Sequence, residues 1–151
     1  MTEGEKSAIA KKWLSRSMGA KRYRRSLERR IEGFTFASIS RYETDGSTKG
    51  TPRENEQETK MIEYSEVRGM LDKIIDQLDR EDMETIKVIE RIDSKVEKSI
   101  LVDRYVNLLT WDEIADGRSS DEPLSKSHAQ RIHGRALQSM YKALKEAGYD
   151  V

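Results

Sequence analysis

The sequence predicts an all-α protein: a long N-terminal helical hairpin or coiled coil, followed by a small C-terminal unit of three helices. Three observations predict it. Apolar residues recur at three- and four-residue spacing along most of the chain, the period of a helix that buries one face. Only 35% of residues are hydrophobic while 37% are charged, so many charges must sit on solvated helix faces rather than around a large core. Ser94 with Glu97, and Thr110 with Glu113, have the spacing of capping boxes, which open helices.

Residues 1–34 read as a basic N-terminal helix. Tyr23, Leu27 and Ile31 share one face, and Lys21, Arg22, Arg24, Arg25, Arg29 and Arg30 cover the others. Gly19 weakens its middle slightly. Residues 35–60 read as a flexible linker, with room for a short structured piece around Phe34 to Tyr42, because Asp45-Gly46-Ser47 and Gly50-Thr51-Pro52 are turn signals and Glu54 to Lys60 carry no apolar residue. Residues 61–92 read as one long amphipathic helix. Its stripe runs through Val67, Met70, Leu71, Ile74, Ile75 and Leu78, then Met83, Ile86, Ile89 and Ile92. That stripe is wide enough to pack on the first helix or on a second copy of the chain.

Residues 93–151 form the C-terminal unit. A helix over 95–106 buries Val96, Ile100, Leu101 and Tyr105 or Val106. A short helix follows over 111–116, with Gly117 at its end. After a polar turn from Arg118 to Leu124, a third helix runs from Lys126 to about Ala147 with Gly148 as its C-terminal cap. Its buried face is Ala129, Ile132, Ala136, Leu137, Met140 and Leu144.

The net charge of zero hides segregation. Residues 1–34 hold ten Lys/Arg against four Asp/Glu, residues 61–117 hold eight against fifteen, and residues 125–145 hold five against none. Local basic patches, not the total, set the field near a phosphate backbone. With no cysteine, disulfides and thiolate metal sites are excluded. No apolar run is long enough to span a bilayer and no signal-peptide core opens the chain, so the expected compartment is the cytoplasm.

A short capped helix followed by a long basic one is the helix-turn-helix pattern. In that pattern the last helix lies in the major groove of DNA, held by small or branched contacts that here are Ile114, Ala115, Ala129 and Ile132. The DNA-facing candidates are Ser125, Lys126, Ser127, His128, Gln130, Arg131, His133, Arg135 and Lys142. Their amide, hydroxyl and guanidinium groups suit base edges and phosphates. His128 and His133 lie five residues apart, off a common helix face, so no zinc site is expected. Trp111 reads as a core anchor. The basic run from Lys21 to Arg30 suits either DNA or the acidic middle helix. No nucleophile–base pair and no phosphate-binding loop is visible, so neither enzymatic activity nor a cofactor is expected.

Two stretches also carry a resemblance. Thr110-Trp111-Asp112-Glu113-Ile114-Ala115 resembles the opening of the motif in region four of primary sigma factors, and Arg131-Ile132-His133-Gly134-Arg135-Ala136-Leu137 resembles its recognition helix. From Arg104-Tyr105 through Leu137 the chain is more similar still to small phage proteins related to the ArpU- and RinA-like late transcription regulators. Trp13-Leu14 and the run from Tyr23 to Ile31 are similar to the first helix of that group. The resemblance implies a phage-type transcription regulator acting on double-stranded DNA in a bacterial host cell. By position, Lys126, Ser127 and Arg131 would read bases while Gln130 and Arg135 lie near the backbone. The turn between Ala115 and Ser125 is about four residues longer than the sigma pattern, so a different DNA site is expected, and a complete sigma factor is not. Two rival readings follow from the same elements. One is a small terminase subunit that recognises DNA for packaging; the other is an RNA polymerase-binding, sigma-like interaction protein. Expected partners are therefore double-stranded DNA, RNA polymerase as an alternative, and a second copy through the N-terminal helices, with no membrane.

Overall fold

A computed structural model describes residues 1–44, 52–116 and 124–151, the side chains of 35–44 and 52–55 excepted. Among them every regular element is helical: α1 (Glu3–Leu14), α2 (Met18–Thr44), α3 (Pro52–Ile89), α4 (Lys95–Leu101), which runs on into a single π-helical turn (Val102–Val106), α5 (Trp111–Asp116) and α6 (Lys126–Glu146). No described helix is long and apolar enough to cross a membrane. The chain divides into two compact units, one made of Met1–Ser17 with Arg80–Val151, the other of Met18–Asp79.

The single helix expected over 1–34 is broken at residues 15–17. Leu14 and Leu27 are both buried. On one straight helix their separation of about three and a half turns would point them to opposite sides. The break lets each stripe find its own cover. Arg16 and Ser17 hold it: Ser17 Oγ donates to the Glu81 carboxylate at 2.5 Å, and Arg16 Nη2 donates to the Glu81 carbonyl at 3.3 Å. The Arg16 guanidinium also lies 3.7 Å from the Trp13 ring centroid. A capping box that sequence reading missed opens α1. Thr2 Oγ1 accepts from the Glu5 amide, and the Glu5 carboxylate accepts from the Thr2 amide at 2.8 Å.

The flexible linker expected over 35–60 is helical at both of its ends. Backbone 35–44 continues α2, and α3 begins at Pro52, a residue suited to the first helical position. The turn signals at 45–51 lie outside the described residues. The long helix ends at Ile89 rather than Ile92, although Ile92 remains buried beyond it. Within the unit of Met18–Asp79, Leu27, Leu71 and Leu78 are buried. Arg30 reaches Glu63 at 3.8 Å, and the Phe34 and Tyr64 rings meet edge to face at 6.3 Å.

The other unit is built around α6. One face of α6 buries Ala129, Ile132, Ala136, Leu137, Met140, Tyr141, Ala143 and Leu144. Packing on that face come α1 through Ala10 and Leu14, and α4 through Ile100 and Leu101. Gln138 Nε2 ties α6 to α1 by donating to the Glu3 carbonyl at 2.6 Å and to Ser7 Oγ at 2.7 Å. Ser94 caps α4, accepting from the Glu97 amide, but the expected reciprocal half of that box is not formed. The Glu97 carboxylate instead accepts from Ser139 of α6 at 2.9 Å. Gly148, at φ 90°, closes α6 as expected. Its amide donates to the Lys145 carbonyl and that of Tyr149 to the Leu144 carbonyl, the paired bonds of a Schellman motif.

Candidate nucleic-acid interface

The site begins with α5. Thr110 and Glu113 form a complete capping box, with Thr110 Oγ1 accepting from the Glu113 amide and Glu113 accepting from the Thr110 amide, both at 3.2 Å. This fixes where the short helix starts and turns Ile114 inward. Ile114, 1% exposed, packs with Ile100, Ala129 and Ile132, and Leu109, Trp111 and Leu124 close over that cluster. The steric logic is that of a close crossing: Ala129, with no exposure at all, lets α5 approach the α6 backbone. Burial of such a cluster is worth roughly 2 kcal/mol for each large side chain, so α6 is held by one face and cannot roll.

The opposite face of α6 is left to solvent. Ser125 is its N-cap, with Oγ accepting from the His128 amide at 3.1 Å. Lys126, Ser127, His128, Gln130, Arg131, Gly134 and Arg135 are all exposed, as is Lys142 further along. Arg131, Arg135 and Lys142 project to the same side, four and seven residues apart. Arg131 and Arg135 have no ion pair among the described residues, whereas Lys142 lies 4.0 Å from Glu146. Lys126 Nζ stands 3.6 Å from Asp112 of α5, both side chains well exposed. A contact of that kind is worth about 0–1 kcal/mol, so it leaves the lysine available to a stronger anion.

His133, expected as a DNA contact, is half-buried and placed differently from the other candidates. Its ring points into the protein, where Tyr105 stacks on it at 5.7 Å and Trp111 meets it edge to face at 5.0 Å. The cause lies in the π-helical turn of Val102–Val106, whose Asn107 amide reaches back to the Val102 carbonyl at 2.9 Å. One extra residue in that turn brings Tyr105 and Arg104 together beneath α6. Leu108, in the left-handed region at φ 57°, then reverses the chain toward α5. Arg104 secures the reversal, donating to the Leu109 carbonyl at 3.0 Å with its guanidinium 4.8 Å from the Trp111 ring. Burial, aided by the positive charges of Lys11 and Arg104, lowers the His133 pKa to about 4. Burial raises that of Tyr105 to about 12, against a smaller opposing effect of Arg104. Both rings are neutral near pH 7, and they hold the aromatic underside of α6.

Lys11 was not singled out from the sequence. Packing of α1 on α6 brings it close enough to act on the proton affinity of His133. The nearest sequence signal was the basic excess of the first segment, which does not say which lysine faces α6. The turn residues at 117–123 lie outside the described residues. Among the described residues, no three His, Asp or Glu side chains gather as a metal site. Chemically the exposed face offers hydroxyl, amide, imidazole and guanidinium donors with no carboxylate among them until Glu146. No family model, curated protein or solved structure matches this chain, so its functional reading rests on its own geometry and on the motif resemblance.

Proposed function

We propose that this chain is a sequence-specific, DNA-binding transcription regulator of the phage type. In this reading α5 and α6 are the two helices of a helix-turn-helix, α6 enters the major groove by its first turns, and Met18–Asp79 forms a helical hairpin. The observation that carries the reading is the asymmetry of α6. Its inner face is locked by Ile114, Ala129, Ile132 and Trp111, while its outer face presents Lys126, Ser127, Gln130, Arg131 and Arg135 to solvent. A rigid support beneath an exposed row of donors is what base reading requires, because a contact is discriminating only when its geometry is fixed.

The roles divide by position. Arg131, in the second turn of the helix and without an ion pair among the described residues, reads a base edge, with Lys126 and Ser127 ahead of it. Gln130 and Arg135 contact the phosphate backbone, and Lys142 adds charge further along. Ser125 keeps its cap and can still donate its hydroxyl proton to a phosphate oxygen. His133 takes no DNA contact and instead positions α6 from beneath.

The test is selection of bound fragments from a random duplex library, followed by mobility shifts on the selected site. Arg131→Ala is expected to cost about 1–3 kcal/mol on that site and little on an unrelated duplex. An equal effect on both sequences, or none on either, would remove the base-reading role.

A further inference from the structure

Six cations crowd α2 between Lys21 and Arg30, and they fall into two groups. Three are engaged within the protein: Lys21 is buried and has a partner, Arg24 bonds Glu28 at 2.9 Å, and Arg30 pairs with Glu63 and lies over Phe34. The other three, Arg22, Arg25 and Arg29, are exposed, and their side chains have no ion pair or hydrogen bond among the described residues. Spaced by three and four residues, they lie on one face of the helix. They span about 10 Å of its axis, the length over which one strand of a duplex presents about three phosphates.

We propose that Arg22, Arg25 and Arg29 form a second nucleic-acid site, a backbone clamp on α2 that holds duplex phosphates without reading sequence. Guanidinium forks favour such a ligand, because each matches two phosphate oxygens at once. The flank of the row argues against a lipid surface or a packed helix as the occupant. Around the row stand Ser26, Glu32 and Gly33, all exposed, with the half-buried Met18 and the exposed Tyr23 as apolar neighbours that form no continuous apolar face, while Leu27 lies buried elsewhere on the helix. A membrane-surface helix needs a continuous apolar face beside its cations. The clamp stands independently of the reading of α6.

The test uses the full chain and a mixed-sequence duplex two helical turns long, with affinity measured by fluorescence anisotropy over a series of salt concentrations. Combining Arg22→Gln, Arg25→Gln and Arg29→Gln is expected to reduce the magnitude of the log–log salt slope by about 3, and replacing all three by Lys to restore it. Single Gln variants, each lowering the slope by about 1, carry the test if the triple variant loses its helical circular dichroism. An unchanged slope in the Gln variants overturns the clamp. So does a wild-type protein that binds phosphatidylserine vesicles through these arginines while its duplex affinity ignores them. Loss of duplex binding in the α2 variants with none in Arg131→Gln/Arg135→Gln would uphold the clamp, and the same absence of effect on the selected site would reject the role of α6.

Discussion

Tyr105 Oη and His133 Nε2 lie 2.8 Å apart, joining the π-helical turn after α4 to the middle of α6. The bond is made between two neutral groups, since burial drives the proton affinity of His133 down and that of Tyr105 up. In the unfolded chain His133 takes a proton near its ordinary pKa of 6.5, but in the folded chain only near 4. The contribution of neutral His133 to stability is therefore complete above pH 6.5 and is lost as the pH drops through the window from 6.5 to 4. The expected loss is on the order of 2 kcal/mol, allowing for partial solvation of the ring. Thermal melts across this range check it. His133→Gln, which keeps a hydrogen-bonding partner for Tyr105 without a titrating ring, should flatten the slope in that window. Parallel profiles for variant and wild type would show that another group governs acid unfolding.

Gly134 is exposed in the middle of α6, and a methyl group built there meets nothing within 4 Å. Gly134→Ala should therefore stabilise the fold by about 0.5–1 kcal/mol through helix propensity alone. If the glycine lets the backbone come close to a phosphate or a base, the same variant should bind duplex DNA more weakly. Chemical denaturation and anisotropy on one sample separate the two effects. A variant that is both more stable and fully active would show that the helix does not approach DNA at this point.

Asp112 holds Lys126 at 3.6 Å and places a negative charge beside the leading end of α6. Asp112→Asn should release the lysine and remove a repulsion toward phosphate. Duplex affinity is expected to rise about 3- to 10-fold at low salt, an advantage that shrinks as salt screens the charges. A fall in affinity would mean that the ion pair orients Lys126 for binding.

Two variants probe the support under α6. Thr110→Ala removes the capping hydroxyl of α5 and should cost about 1 kcal/mol of stability. Ile114→Ala empties a nearly closed cluster and should cost about 2–5 kcal/mol. Denaturant titrations give both values. Similar small losses for the two would indicate that α5 packs loosely and does not brace the longer helix.

The C-terminal unit was the more legible part of the sequence. The starts of α5 and α6 were readable because Thr110, Glu113 and Ser125 advertise their hydrogen bonds locally, and Gly148 marks the end of α6 by its backbone freedom. The buried face of α6 followed from its helical period. The break at residues 15–17 was not readable, since Ser15, Arg16 and Ser17 carry no glycine or proline and their partners, Glu81 and Glu84, lie more than sixty residues away. Gly19, expected only to weaken the helix slightly, sits inside α2. The inward turn of His133 was hidden for a related reason. It depends on the extra residue of a π-helical turn almost thirty residues earlier, and on Trp111 from a third element. The split of the α2 arginines into paired and free groups likewise needed the positions of Glu28 and Glu63 relative to the helix.

The measurement closest to the central claim is a backbone-amide NMR titration of the intact protein with its selected duplex. Perturbations should concentrate at residues 125–135, strongest at Lys126, Ser127, Gln130 and Arg131, with smaller shifts at Arg135 and Lys142. Saturable binding that leaves the first turns of α6 unperturbed would contradict the proposal that this helix is the reading surface.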